Sequence, residues 1–245
     1  MKLNPVLDVH IHSIASGHAY STIGECARAA ADKGLQIMAI TDHAPGMEGT
    51  ATWGHFGNLR ALPREMCGVT LLRGVELNII DYNGKIDMSP GQCGWLEVRI
   101  ASLHVPCIQA GTVDENTRAV IGAMQNPLVQ IIGHLGDPGY SIDIDKVLDA
   151  AQETGTFIEI NNISLDPNIP TRKGGEATVR ELALGCLKRG VPVIMGSDSH
   201  VHTSVGELSC AQAMLEELDF PKELVLNTSA ELFCEKMGLD LASLS

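Results

Sequence analysis

Short runs of apolar, often β-branched residues recur along the chain, and most are followed by a loop and a longer segment of helical periodicity. Nearly continuous apolar runs are typical of parallel strands that are covered on both faces. The alternation of such strands with helices predicts a parallel α/β fold. The seven predicted strands are Leu7–His12, Ile37–His43, Leu71–Ile79, Val98–His104, Val129–Leu135, Phe157–Asn162 and Val191–His200.

The predicted helices have recognisable ends. The first opens with Thr22 and Glu25 at capping-box spacing and stops before Gly34. After the third strand, Tyr82–Lys85 predicts a type I′ hairpin turn because its two central residues are Asn-Gly. The six predicted helices are Thr22–Lys33, Asp114–Gln125, Asp143–Glu153, Glu176–Arg189, Val205–Leu218 and Ser229–Met237.

Seven strands in 245 residues favour a closed or nearly closed barrel, with an open doubly wound sheet as the alternative. A nucleotide-binding fold has no motif in its favour, because no glycine-rich phosphate loop follows the first strand. The chain has no internal repeat, low-complexity tract or linker. We therefore expect a single domain that covers residues 1–245.

Composition narrows the candidate functions. Hydrophobic residues make up 44 % of the chain and aromatic residues only 4 %, which predicts an aliphatic core. A net charge of −13 argues against a general nucleic-acid binder, but bound divalent metals could still attract a small phosphorylated substrate. We expect a cytoplasmic protein without a membrane span, because the seven cysteines form no disulfide pattern and no leader or long apolar run is present.

Histidines mark the carboxyl ends of the predicted strands, where a parallel barrel gathers the residues of its active site. His10 and His12 are two residues apart and therefore point to the same side of an extended segment, as do Asp198 and His200. Glu76 lies near the end of the third strand. The remaining candidates are His18 after the first strand, His43 at the end of the second, His104 at the end of the fourth and His134 at the end of the fifth.

Imidazole and carboxylate groups are suitable ligands for Zn²⁺, Mn²⁺ or Fe²⁺. A usual single catalytic metal takes three protein ligands, and nine candidate donors exceed that number. The pattern therefore predicts a cluster of several metal ions in which a carboxylate bridges two of them.

These residues resemble the motifs of the PHP (polymerase and histidinol phosphatase) family over essentially the whole chain. The motifs are DVHIHS at 8–13, ITDH at 40–43, GVEL at 74–77, SLH at 102–104, GHLGDP at 133–138, EINN at 159–162 and GSDSH at 196–200. HAYS at 18–21, RKG at 172–174 and the segment around Trp53, His55 and Phe56 resemble its YcdX-type stand-alone phosphatase branch. One departure is Leu135, where that branch often has a proline, which would restrict His134 to extended backbone.

The resemblance implies a distorted (β/α)7 TIM-like barrel with three divalent transition-metal ions, most simply zinc, with manganese or iron as alternatives. One ion would be bound by His10, His12, Glu76 and Asp198. A second would be bound by Glu76, His104 and His134, so that Glu76 bridges two ions. A third would be bound by His18, His43 and His200.

The chemistry expected of such a centre is hydrolysis of a small phosphoester by a hydroxide activated between two metals, with Glu76, Asp198 and His200 as catalytic residues. Arg172, Lys173 and His55 are the candidate substrate-binding residues. Asp42 is expected either to orient a metal ligand or to have a structural role.

Other activities are compatible with the same pattern. A nuclease acting on short oligonucleotides would use the same ions, although the negative charge and few aromatic residues disfavour long nucleic acids. Metal-dependent amide hydrolysis is a further alternative, and so is a non-catalytic, metal-stabilised domain that binds a partner. Apolar residues on the last helices would permit a homo-oligomer.

Overall fold

Seven parallel strands form a nearly closed barrel in the computed structural model, which describes residues 2–169 and 174–243. They pair in the order β1-β2-β4-β5-β6-β7-β8, and β3 adds to β4 in the antiparallel direction. The strands are β1 (Leu7–Asp8), β2 (Ile37–Ile40), β3 (Glu65–Met66), β4 (Val69–Asn78), β5 (Val98–Ser102), β6 (Ile131–Ile132), β7 (Phe157–Asn161) and β8 (Val193–Gly196).

The two ends of the sheet meet through the segments that follow β1 and β8. Ile11 and Ser199 form a parallel bridge, in which the His12 N–H donates to the Ser199 carbonyl at 2.9 Å. The Ser199 N–H in turn donates to the His10 carbonyl at 3.3 Å. This closure confirms the predicted barrel and excludes the open doubly wound sheet.

Helices cover the outside of the barrel between the strands. The predicted capping box at Thr22 and Glu25 is present at the start of the first helix, and Thr112 and Glu115 form a second one. The helices are α1 (Ile23–Asp32), α2 (Trp53–Asn58), α3 (Pro90–Cys93), α4 (Val113–Met124), α5 (Ile144–Thr154), α6 (Gly175–Arg189), α7 (Ser209–Glu217) and α8 (Ala230–Met237). Within residues 2–169 and 174–243, no helix has both the length and the apolar character that a membrane span requires.

The buried core is aliphatic, as the composition predicts, with a few phenylalanines. One cluster contains residues from the beginning of the barrel strands, including Leu7, Ile37 and Val98. Phe233 and Met237 of α8 belong to the same cluster. Helix α8 therefore covers the amino-terminal end of the barrel and leaves the carboxyl end open.

The prediction of a type I′ turn after the third strand is wrong. The Tyr82–Lys85 turn is not type I′, because Asn83 lacks the positive φ that this turn requires, and the Asp81 carboxylate instead accepts the Asn83 and Lys85 N–H groups. Type I′ torsions occur between β3 and β4, where Cys67 and Gly68 have φ values of 58° and 82°.

Several strands end earlier than predicted. The predicted strand Val191–His200 leaves the sheet after Gly196, because Asp198 has a φ of 51°. His134 has a φ of 29° and lies beyond β6, outside the extended conformation that a following proline would impose. The predicted helix Val205–Leu218 begins only at Ser209, since Gly206 has a φ of 69°. The segments that follow β6 and β8, which carry His134 and His200, thus turn out of the sheet at the open end of the barrel.

Candidate metal centre

The buried carboxylate of Glu76, at the end of β4, lies among five imidazoles from different parts of the chain. Glu76 is completely buried, and His104 is the most exposed of these five neighbours, with about 10 % of its side chain accessible to water. The nearest approaches are His43 Nδ1 at 2.7 Å, His134 Nε2 at 2.9 Å, His104 Nε2 at 3.2 Å, His10 Nε2 at 3.4 Å and His12 Nε2 at 3.5 Å. Both carboxylate oxygens take part, which is the arrangement expected of a bridging ligand.

Asp198 provides a second carboxylate next to His10 and His12, the two histidines of the HxH pair. Its Oδ1 lies 3.3 Å from His12 Nε2 and 3.6 Å from His10 Nε2. Its left-handed backbone, like that of His134, is uncommon for a residue with a side chain, and such outliers often occur at functional sites. The turn at this point directs the carboxylate to the same side as the two histidines.

His18 and His200 form the outer part of the group. Their Nε2 atoms face each other at 3.0 Å, and His18 is exposed to solvent. The His18 ring also stacks on His43, with 5.0 Å between the ring centroids. All nine predicted ligands are therefore brought together, and we refer to them as the donor cluster: His10, His12, His18, His43, Glu76, His104, His134, Asp198 and His200.

Several inward-facing atoms of the donor cluster are buried without a hydrogen-bond partner in the described part of the chain. They are His10 Nε2, His12 Nε2, His43 Nδ1, His104 Nε2 and Glu76 Oε2. Buried polar atoms are rarely left unpaired in this way, because the loss of hydration is costly. Electron-pair donors that converge on a shared space fit divalent cations. Sets with ligand atoms within 4.8 Å of one another include His10/His12/Glu76, His43/Glu76/His104 and His12/His43/His200.

The outer Nδ1 atoms of three rings in the donor cluster are hydrogen-bonded to oxygen acceptors. In the neutral form of the ring, an acceptor at this position places the proton on Nδ1 and directs the Nε2 lone pair inward. The amide of Asn78 is oriented unambiguously, because its Nδ2 donates to the Ala44 carbonyl at 3.1 Å. The outer bonds join His10 Nδ1 to Glu159 Oε1 at 2.5 Å, His104 Nδ1 to Asn78 Oδ1 at 2.7 Å and His200 Nδ1 to the Asp198 carbonyl at 2.9 Å.

The charges of the histidines keep the two carboxylates ionised. Burial alone would raise the pKa of Glu76, but His104 and His10 outweigh burial and hold this pKa well below its usual range. The pKa of Asp198 is also well below its usual value, because His10 and His12 outweigh the effect of burial. Both groups are therefore anionic at neutral pH and available to bind cations.

The two histidines of the HxH pair differ in protonation. Burial, with a further contribution from the charge of His43, lowers the pKa of His12 to about 3. Burial would also lower the pKa of His10, but Glu159, Glu76 and Asp198 raise it well above the usual value. A cation that binds at His10 must therefore displace a proton at neutral pH.

The donor cluster forms part of the wall of an open cleft of about 330 Å³. The described lining residues are His18, His43, Met47, Glu48, His104, Pro106, His134, Asp198 and His200. His55 lies on a neighbouring groove with Asn58 and Leu62, and its Nε2 is 3.2 Å from Asp42 Oδ2. Arg172 and Lys173 fall outside the described residues.

Sequence reasoning gave no role to Glu159, which contacts two members of the donor cluster. Besides the His10 ring, its carboxylate accepts the His134 N–H at 2.7 Å. Asn161 donates through Nδ2 to Glu159 Oε2 at 3.2 Å and to Asp198 Oδ2 at 3.3 Å. The available signal was an acidic residue in the otherwise apolar strand FIEIN, where burial requires a partner for the charge.

A converging set of imidazole and carboxylate donors, at the carboxyl end of a parallel α/β barrel, defines a metal-binding barrel protein. The chain belongs to the PHP domain family, whose model matches residues 8–163. It is 48 % identical, over 94 % of its length and 94 % of the relative's, to a protein of Acetivibrio thermocellus named a probable phosphatase. It is also 48 % identical to a probable phosphatase of Caldanaerobacter subterraneus, over 94 % of this chain and 90 % of that protein.

The fold is similar to that of a solved phosphatase structure. The structure is a histidinol phosphate phosphatase from Lactococcus lactis, in complex with zinc, L-histidinol and phosphate. The TM-score is 0.62 at 19 % identity, with coverage of 89 % of this chain and 95 % of the other. This similarity supports the barrel architecture.

Proposed function

We propose that this chain is a metal-dependent phosphatase that hydrolyses a small phosphorylated substrate at a centre of three divalent ions. The observation that carries the proposal is the donor cluster, with its buried, inward-facing and unpaired ligand atoms around Glu76. Similarity to probable phosphatases over nearly the full length of both chains supports the reaction class.

The proposed ligand sets are those that the resemblance to the PHP family implies. One ion would be held by His10, His12, Glu76 and Asp198, and a second by Glu76, His104 and His134. A third would be held by His18, His43 and His200, and Glu76 would be shared by the first two. Zinc is the favoured ion, since nitrogen and carboxylate ligands suit it and the Lactococcus lactis phosphatase was crystallised with zinc. Manganese and iron are the alternatives.

When bound, the ions supply Lewis acidity toward the phosphoryl oxygens and activate a water as nucleophile. The residues of the chain would compensate the charge of the ions and orient their ligands. Glu76 and Asp198 offset the positive charge, and we assign catalysis to them together with His200. Asn161 holds the outer oxygen of Asp198, which leaves Oδ1 directed toward His10 and His12.

The cleft favours a small substrate. Its volume of about 330 Å³ is at the lower end of the range for small-molecule sites, and Met47 and Pro106 give it apolar walls. A net charge of −13 disfavours a long polyanion. We propose that Arg172 and Lys173 contact the phosphate and that His55 acts near the substrate, although its present contact is with Asp42.

The test is a substrate panel with zinc-loaded and manganese-loaded protein. The panel contains several phosphomonoesters, a phosphodiester, a single-stranded oligonucleotide and a dipeptide. We expect the monoesters to be hydrolysed fastest. Preferential cleavage of the oligonucleotide or the dipeptide would favour the nuclease or amidase alternative. Full metal content without hydrolysis of any substrate would favour a non-catalytic domain.

A further inference from the structure

The hydroxyl of Ser16 contacts two different members of the donor cluster, on the His12 ring nitrogen opposite the inward-facing Nε2 and on the His43 main chain. Ser16 is fully buried in the turn that follows β1. Its Oγ lies 3.0 Å from His12 Nδ1, 3.1 Å from the His43 backbone nitrogen and 2.7 Å from Asp42 Oδ1. A hydroxyl has one hydrogen and two lone pairs, so these three contacts use its whole hydrogen-bonding capacity.

The direction of each bond follows from the partners. The His43 backbone N–H can only donate, and it therefore occupies one lone pair of Ser16 Oγ. The Asp42 carboxylate accepts, since the same Oδ1 also receives the Ser13 N–H at 2.7 Å. The hydrogen of Ser16 thus goes to Asp42. The second lone pair is left for His12, which must carry its proton on Nδ1.

We propose that Ser16 is a positioning residue that sets the tautomer of His12 and the main-chain position of His43, and thereby couples two ion positions. This inference rests on the proposed function, which assigns His12 to the first ion and His43 to the third. With its proton on Nδ1, His12 directs an unprotonated Nε2 toward Asp198 Oδ1 and Glu76 Oε2, at 3.3 Å and 3.5 Å.

Asp42 fixes the orientation of the serine. Its Oδ2 receives the Ser13 hydroxyl at 2.8 Å and faces His55 Nε2 at 3.2 Å, so all its contacts come from donors. Removal of the Ser16 hydroxyl would leave His12 Nδ1 and the His43 N–H buried without an acceptor, which is costly. His12 could then exchange its proton between the two ring nitrogens, and one of the two forms cannot bind a metal through Nε2.

Ser13 offers a matched control. Its hydroxyl bonds to the same carboxylate, accepts the Ala15 N–H at 3.2 Å and is also buried. Within the described residues, it has no bond to an imidazole. Ser13→Ala therefore removes a comparable number of hydrogen bonds from the same loop and leaves the contact between Ser16 and His12 in place.

The experiment measures zinc affinity and histidine tautomers in the wild type, Ser16→Ala and Ser13→Ala. Titration against a chelator gives the affinity for each ion, and long-range ¹H–¹⁵N NMR gives the tautomer of His12, assigned with His12→Asn. We expect Ser16→Ala to weaken two of the three ions by about 10- to 100-fold, the range usual for outer partners of metal ligands. The second ion, assigned to Glu76, His104 and His134, should keep the wild-type affinity in Ser16→Ala, and Ser13→Ala should bind all three ions like the wild type.

Equal zinc affinities for Ser16→Ala and Ser13→Ala would overturn the inference, as would a wild-type His12 protonated on Nε2. The tautomer of His12 is measured without Ser16→Ala, so the inference can still be tested if that variant does not fold. If the wild type bound no zinc, manganese or iron, the proposed metal centre and the inference would both fail. Metal-dependent phosphatase activity with unchanged zinc affinity in Ser16→Ala would reject the role of Ser16 alone.

Discussion

Gly196 lies directly against the carboxylate of Glu159. A methyl group on the α-carbon of Gly196 would overlap Oε1 of Glu159, the oxygen that bonds to the His10 ring. The other oxygen of Glu159 accepts the His134 N–H. A single carboxylate thus supports two members of the donor cluster, and it can do so only because residue 196 has no side chain.

We predict that Gly196→Ala displaces Glu159 and thereby weakens zinc binding and activity by at least about tenfold, the lower limit typical of outer partners of metal ligands. Chelator titration and phosphomonoester turnover measure the two effects. Gly24→Ala is the control, because a β-carbon there meets nothing within 4 Å and alanine favours the helix. Normal zinc affinity in Gly196→Ala would show that Glu159 does not position His10.

Removal of either central carboxylate is expected to abolish the centre. Glu76→Ala and Asp198→Asn should lose bound metal, measured by elemental analysis, and should lose more activity than the 10- to 100-fold typical of outer partners. Asp149→Asn makes the same chemical change on the exposed face of α5, where Asp149 pairs with Arg189. A variant that kept full metal content and full activity would refute the assignment of its carboxylate.

Metal binding is expected to release protons and to weaken as the pH falls. The pKa of His10 is raised by neighbouring carboxylates, so a proton occupies this ring in the metal-free protein at neutral pH. The cation competes with that proton, and apparent affinity should therefore increase with pH until the raised pKa is passed. Zinc calorimetry in buffers of different ionisation enthalpy measures the released protons. Binding without proton release, or activity at pH 5 after metal loss, would contradict this prediction.

The turn between β3 and β4 offers a test of stability that is independent of the metals. Cys67 occupies a position with a φ of 58°, which favours Asn or Gly over other residues. We predict that Cys67→Asn increases the free energy of unfolding by about 1 kcal/mol, measured by urea denaturation of the metal-free protein. Cys67→Ser, which has no such preference, should give a smaller gain. Equal stabilities for the two variants would contradict the argument from backbone conformation.

The convergence of the donor cluster could be predicted from the sequence because it follows from topology. Parallel strands place their carboxyl ends at one edge, so histidines there must meet. The spacing of His10 and His12 also defined their shared direction. The strand lengths were overestimated at Asp198 and His134, because the apolar pattern does not reveal where a ligand turns out of the sheet.

The outer partners could not be assigned from the sequence. Glu159 is visible as an acidic residue in an apolar strand, but nothing local indicates that it bonds to His10, which is 149 positions away. Ser16 lies in a loop where a serine is ordinary. The positive φ of Cys67 could not be predicted either, because cysteine seldom occupies the first central position of a type I′ turn. Such features depend on side-chain directions that only the folded chain defines.

The bridge between Ile11 and Ser199 has a consequence for biosynthesis. During translation, the HxH segment leaves the ribosome long before Asp198 and His200 are made, and the two segments become neighbours only when the last strand docks. A nascent chain that ends before β8 lacks two of the nine donors, so it cannot assemble the complete ligand set. Completion of the proposed metal centre is thereby linked to the final step of chain folding.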